Sequence, residues 1–141
     1  MTSLDKNLNA GNKRFSFASK AYAADKFSVV KMEGYEAISA NFSFELTLVS
    51  DDVSIDFEKM LSNPATFTLY AAGGNMETPY HGVVSEFEQL HKVDDLVFYR
   101  AVLAPRLQRL NLYRTSDVHL NDKTIPEILA AVVKDLSLIH I

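Results

Sequence analysis

TPYHGVVSEFEQL, residues 78–90, has the alternating pattern of a β-strand but contains a histidine followed directly by a glycine, His81-Gly82. A glycine inside a strand marks a bulge, a sharp barrel bend or the close approach of another backbone segment. A histidine in a strand is more often a half-buried side chain than a catalytic group. We therefore predict that His81-Gly82 is an architectural element of a curved strand. The alternative is that His81 acts as a general base.

Further β-type runs lie on both sides of this strand. The clearest is NFSFELTLVS, residues 41–50, in which Phe42, Phe44, Leu46 and Leu48 fall on one face. Gly73-Gly74-Asn75 has the composition of a tight hairpin turn and predicts that residues 65–91 form two antiparallel strands. The other predicted strands are FSFAS, KFSVVKMEG and LVFYRAVLAP, at residues 15–19, 26–34 and 96–105.

Two short helices complete the pattern. IDFEKMLSNP, residues 55–64, predicts a helical turn near 57–62, which ends before Pro64 because the residue preceding a proline disfavours helical geometry. Thr124 and Glu127 have capping-box spacing, with Pro126 in the first turn. The helical spacing of Ile125, Ile128, Leu129, Val132, Val133 and Leu136 then predicts an amphipathic C-terminal helix near 125–136. We expect an α+β fold that is mainly antiparallel β and barrel-like.

The composition indicates one ordinary folded domain. The chain has 141 residues, of which 48% are hydrophobic and 23% charged. Residues 1–14 are polar and are expected to form a flexible N-terminal arm, so that 15–141 is a single β-barrel-rich domain. A net charge of −4 with no basic cluster argues against nucleic acid as a partner. The longest aliphatic run, Ile128–Val133, is too short to span a membrane, and no apolar signal sequence follows the amino terminus.

The candidates for chemistry are few. The absence of cysteine excludes disulfides and thiolate catalysis. The four histidines, His81, His91, His119 and His140, lack the close spacing of metal ligands. Asp51-Asp52 and Asp94-Asp95 stand at strand ends, where aspartate favours turns. No phosphate-binding loop or nucleophile elbow occurs. We expect no catalytic, cofactor-binding or metal-binding residues, no cofactor, and no enzymatic activity.

The order of these elements resembles that of a known family. Five segments occur in sequence: VVKMEGYEAISANFSFELTLVSDD, IDFEKMLSNPATFTLY, YHGVVSEFEQL, FYRAVLAPRLQRL and TIPEILAAVVKDL. Together they resemble the N-terminal, phage tail hub-like region of the type VI secretion spike proteins, the VgrG family, over about residues 15–136. The motif Tyr80-His81-Gly82-Val83 is typical of a barrel strand in that family. Pro105, Leu107 and Leu110, followed by a short helix from Ile125 to Leu136, also fit the pattern.

The resemblance implies a structural function. It implies a trimeric hub or adaptor between the hexameric tube of the haemolysin-coregulated (Hcp) family and the puncturing needle, with effector or adaptor proteins as further partners. It also implies synthesis in the cytoplasm and export by the secretion apparatus without a signal peptide. Because family members are several times longer, the chain is expected to be a fragment of a larger hub region. A phage tail baseplate hub or late control protein is the alternative of the same class. A small β-barrel that binds a ligand or acts as a hydrolase through His81 is the alternative of another class.

Overall fold

A computed structural model describes residues 14–61, 63–71, 76–112, 118 and 123–135. The predicted arm lies outside them apart from Arg14, as does the predicted turn Gly73-Gly74-Asn75. The described chain has six strands, two α-helices and a 3-10 helix. The strands are β1 (Phe15–Ser19), β2 (Ser28–Tyr35), β3 (Ser43–Ser50), β4 (Pro64–Tyr70), β5 (Glu77–Val93) and β6 (Leu96–Ala104). The helices are α1 (Phe57–Met60), the 3-10 helix (Arg106–Leu112) and α2 (Ile125–Asp135).

The six strands form one antiparallel sheet in the order β1-β4-β5-β6-β3-β2. The sheet curls into a half-barrel, and its edge strands β1 and β2 come close together. Phe17 of β1 lies 5.9 Å, between ring centroids, from Phe27, the residue directly before β2. The predicted fold class, mainly antiparallel and barrel-like with two short α-helices, is confirmed.

The long strand β5 connects the two halves of this sheet. It pairs with β4 from Glu77 to Val83 and with β6 from Val83 to Val93. The pairing register shifts between Val84 and Glu86, and again between Gln89 and His91. A strand that passes from one half of a curved sheet to the other does so through bends and bulges. His81-Gly82 comes directly before this change of partner.

Gly82 is required by the close approach of another backbone segment. A Cβ atom at this position would overlap the carbonyl oxygen of Ala104 and would lie 3.0 Å from its carbonyl carbon. These are backbone atoms at the end of β6, so a side chain at position 82 has no room. Pro79 lies in the part of β5 beyond the end of β6, since Ala104 pairs with Val83. A proline there removes no hydrogen bond to β6, which is why a strand inside the sheet order tolerates it.

The inner faces of the two halves pack against each other to form the core. Phe44 of β3 lies 5.4 Å from Phe67 of β4 and 4.5 Å from Tyr80 of β5, measured between ring centroids. Tyr99 of β6 is fully buried and stacks on Phe87 at 5.3 Å. The contacts of Phe44 with Phe67 and Tyr80 join strands that are not neighbours in the sheet and so hold it in its curled form.

The segment that follows β3 covers one end of this core. Ile55 and Met60 are buried at 6% and 0% exposure and belong to the core cluster. The Tyr99 hydroxyl donates to the Asp52 carbonyl oxygen at 3.0 Å. The Asp56 side chain caps α1 by accepting from the backbone N–H groups of Glu58 and Lys59. The segment is therefore held by backbone and side-chain hydrogen bonds as well as by apolar burial.

The chain divides into two compact units, Met1–Pro105 and Arg106–Ile141. The first contains the sheet, and the second contains the 3-10 helix and α2. In the second unit, the Glu127 carboxylate accepts from the backbone N–H of Thr124 at 2.8 Å and from its hydroxyl at 2.9 Å. This is the return bond of the predicted capping box. It lowers the pKa of Glu127, because the bonds favour the ionised carboxylate.

Candidate functional site: the exposed surfaces of the sheet

His81 lies on the outer, exposed face of the sheet. Its Nδ1 atom is 3.0 Å from the hydroxyl of Thr66, the residue that it faces across the β4–β5 pair. A threonine hydroxyl in hydrogen-bond reach is one requirement of the general-base hypothesis, but an enclosed site that excludes water is another. An exposed position on the outer face of a sheet does not provide that enclosure. The pair fits an ordinary cross-strand hydrogen bond.

The other sequence candidates lie in separate places. The ring of His91 stacks on Phe98 with centroids 4.5 Å apart, near the far end of β5. His119 and His140 lie outside the described residues. Among the residues that the structure describes, no group of three or more histidine and acidic side chains is arranged to hold a metal ion. No helix in the same described ranges is long and apolar enough to cross a membrane.

The acidic pairs occupy turns, as their sequence positions predict. Asp94 has a φ of 52° in the reversal between β5 and β6. Asp52 accepts from the backbone N–H of Ser54 at 2.8 Å and forms an ion pair with Lys26 at 2.7 Å. The bond from Lys26, followed by those from Ser54, holds the pKa of Asp52 far below its usual range. Asp52 is thus a structural carboxylate that links the segment after β3 to Lys26, which lies just before β2.

A charged cluster spans the outer faces of β3, β5 and β6. Arg100 Nε lies 2.8 Å from Glu45 Oε2, and its Nη1 lies 2.9 Å from Glu86 Oε2 and 3.5 Å from Glu88 Oε1. The bonds to Glu45 and then to Glu86 raise the pKa of Arg100. One guanidinium facing three carboxylates leaves the cluster negative, and such a surface repels phosphate groups. The sequence gives no local sign of this cluster, because its members come from three strands.

The turn between β2 and β3 forms a different kind of surface. We call residues 35–42 the β2–β3 tip. Ile38 is 98% exposed there, and Tyr35 is exposed beside it. The tip is tied to the core through Tyr80, whose hydroxyl donates to Glu36 Oε2 at 3.1 Å. This bond raises the pKa of Tyr80, since the neighbouring carboxylate favours the protonated phenol.

The described residues present three kinds of exposed surface. They offer a negative outer face, an apolar tip and a sheet with two edge strands. The described fold is therefore a curled, antiparallel half-barrel with these surfaces exposed.

Comparison with known proteins identifies the module. The sequence profile of the phage tail baseplate hub (GPD) family matches residues 35–140, and the chain belongs to this family. The type VI secretion system spike protein VgrG2b of Pseudomonas aeruginosa is 38% identical over 109 residues, which are 77% of this chain and 10% of that protein. VgrG1a of the same organism is 31% identical over 113 residues, which are 79% of this chain and 17% of that protein.

A solved structure agrees with this assignment. The Escherichia coli c3393 protein is a component of the type VI secretion system with structural similarity to the bacteriophage T4 tail proteins gp27 and gp5. It superposes with a TM-score of 0.69 at 28% identity, over 77% of this chain and 29% of that one. The predicted resemblance to the hub-like region of the VgrG spike proteins is confirmed. The chain spans only 10–17% of the length of the two spike proteins described above.

Proposed function

We propose that this chain is the hub part of a trimeric spike component that joins an Hcp-like hexameric tube to the puncturing needle of a type VI secretion apparatus. Its role is structural and not enzymatic, and it uses no catalytic, cofactor-binding or metal-binding residue. The observation that carries the proposal is the family match over residues 35–140. The half-barrel fold supports it, because a curled antiparallel sheet with exposed tips and faces suits stacking between protein rings.

A type VI spike is favoured over a phage baseplate, although both use this family. The relatives with 31% and 38% identity are named as type VI secretion spike proteins. On this proposal the protein is made in the cytoplasm, assembles on the apparatus and leaves the cell with it, without a signal peptide. Effector or adaptor proteins are further partners of the assembled spike.

The test is the solution mass of the 141-residue chain by light scattering, alone and mixed with the tube protein of the same bacterium. We expect a trimer, or a complex that elutes with tube hexamers. A β-barrel protein of similar mass and charge serves as the control for nonspecific elution with the tube. A chain that remains monomeric and separates from the tube would contradict the proposal. The hydrolase alternative would then be tested with the His81→Ala variant.

A further inference from the structure

The two edges of the curled sheet meet without a backbone ladder between them. β1 and β2 are the first and last strands of the sheet order, so each has one edge that pairs with no other described strand. The two strands are consecutive in the chain, and residues 20–27, which we call the strap, cross from one edge of the sheet to the other. The strap therefore closes the half-barrel through contacts of a different kind from those of a ladder.

One aromatic side chain anchors the strap in the core. Phe27 is buried and lies edge-on to Phe17, Tyr22 and Tyr99, with ring centroids at 5.9, 5.8 and 6.3 Å. Phe17 belongs to β1 and Tyr99 to β6, whereas Tyr22 belongs to the strap. Edge-to-face contacts of this kind are favourable. An outward movement of the strap would withdraw Phe27 from these rings.

Two polar contacts fasten the strap to the segment after β3, residues 51–56. Lys26 Nζ lies 2.7 Å from Asp52 Oδ2, with the two side chains 33% and 25% exposed. The Tyr22 hydroxyl accepts from the backbone N–H of Asp56 at 3.0 Å. We call this pair of contacts the clasp. It joins two segments that lie far apart in the sequence.

The clasp is weaker than a strand ladder. A partly exposed ion pair contributes little to stability because water screens it, and one hydrogen bond contributes a modest amount. The ladders that join β4, β5, β6 and β3 contain many backbone hydrogen bonds in series. Proteins open locally where few such bonds have to break. We therefore expect the strap to open more readily than the sheet.

We propose that the strap and residues 51–56 form a lid that opens and closes as one unit over the aromatic end of the half-barrel, while the sheet stays paired. The clasp makes the two segments one unit, because neither moves outward without breaking both contacts or carrying the other segment with it. Opening withdraws Phe27 and uncovers the rings of Phe17 and Tyr99. The lid requires only the fold and not the proposed function, so its test needs no tube protein.

Amide hydrogen exchange, followed by nuclear magnetic resonance in the 141-residue chain, tests whether the lid moves as one unit. Tyr22→Phe keeps the ring but removes the hydroxyl that accepts from the Asp56 N–H. The informative amides are those of Lys26 and Ser54, each of which is bonded to an acceptor within its own segment. We expect both to exchange about 3–10-fold faster, the effect of losing one hydrogen bond of ordinary strength.

The converse variant breaks the other contact. Lys26→Met removes the ion pair with Asp52. The informative amides are then those of Tyr22, which is bonded to Ser19, and of Asp56, which is bonded to the Tyr22 hydroxyl. We expect both to exchange about two- to fivefold faster, a smaller effect because a partly exposed ion pair is weaker.

Two control variants make the same chemical changes away from the clasp. Tyr35→Phe and Lys20→Met alter exposed side chains, and Lys20 lies within the strap itself. Both should leave the four informative amides at the exchange rates of the parent chain. The amides of β6, in the middle of the sheet, should keep the parent rates in every variant.

Each other pattern contradicts the lid. Faster exchange confined to the strap, which carries both substitutions, would mean that residues 51–56 move independently of it. Equal acceleration in β6 would mean that the strap is released only when the whole core unfolds. Parent rates in both clasp variants would mean that the clasp does not hold the strap in place. None of these outcomes bears on the proposed function, which is tested separately with the tube protein.

Discussion

At the scale of single residues, Gly82 allows β5 to lie close against the backbone at the end of β6. In Gly82→Ala the added methyl group meets the Ala104 backbone, which cannot rotate away as a side chain would. We expect the free energy of unfolding to fall by roughly 1–3 kcal/mol, the usual cost of overpacking. Urea denaturation followed by circular dichroism measures this loss.

The neighbouring residue gives the control. His81→Ala removes one exposed hydrogen bond to Thr66 and should change the free energy of unfolding by only about 0.5 kcal/mol. An equal loss in both variants would show that the motif acts through the histidine. That result would contradict the architectural role of the glycine.

Asp52 makes the stability depend on pH in the acid range. Its pKa is lower in the folded protein because of Lys26 and Ser54. A depressed pKa contributes stability that is present above the ordinary aspartate pKa, about 4, and is lost as pH falls towards the folded value. Asp52→Asn should therefore cost roughly 1–3 kcal/mol at pH 7 and flatten the loss of stability below about pH 4. Urea midpoints at a series of pH values measure both effects.

Asp25→Asn is the matched control for this prediction, since it removes the same charge from an exposed position in the neighbouring turn. Comparison of the two variants separates the effect of the Asp52 bonds from that of removing one negative charge. Parallel profiles for the parent and Asp52→Asn would mean that the Asp52 bonds contribute nothing to the acid response.

At the scale of elements, Arg100 joins three strands through their outer faces. Arg100→Leu leaves Glu45, Glu86 and Glu88 facing one another without the shared cation. We expect a loss of about 1–2 kcal/mol, more than a single surface ion pair is worth. Salt screens the repulsion between the three carboxylates, so the loss of stability caused by Arg100→Leu should be smaller in 1 M NaCl. Thermal unfolding at low and high salt tests this.

The exposed pair of Lys31 and Glu33, whose charged atoms lie 2.6 Å apart, supplies the comparison. Lys31→Leu removes one cation from a fully exposed pair within β2, so it should lower the thermal midpoint less than Arg100→Leu does. If Arg100→Leu costs no more than Lys31→Leu, the three-strand cluster is not a stabilising network.

The elements were predictable to the extent that their signals are local. The alternation of Phe44, Leu46 and Leu48 predicts β3, and Thr124 with Glu127 predicts the start of α2. What depends on contacts between distant residues was not predictable. From the sequence, a glycine at position 82 is compatible with a bulge, a barrel bend or the close approach of another backbone segment. Only the fold shows that the backbone of Ala104 approaches it. Likewise Ile38 lies between two strands in the sequence, and nothing local indicates that Tyr80 holds its turn.

At the scale of the whole molecule, the core residues found in the described part of the chain lie within one of the two compact units. All members of the core cluster fall between Phe17 and Leu103, inside Met1–Pro105. Two features limit pairing at exposed strand edges in this unit. Pro79 removes a donor from the part of β5 that pairs with β4 but has no β6 neighbour, and β2 carries an irregular register and charged residues.

The final prediction is that a chain ending at Pro105 folds without the remaining residues. A unit of this length with its own core is an ordinary domain size, so urea should unfold it in one cooperative transition with retained near-UV circular dichroism. In this shorter chain, Leu103→Ala should lower the free energy of unfolding by about 2–5 kcal/mol, as expected for a fully buried leucine. The same substitution should lower it by the same amount in the 141-residue chain. A truncated chain that keeps far-UV but loses near-UV signal would mean that the core needs the second unit. The prediction of a single domain over residues 15–141 would then be favoured over an independent N-terminal unit.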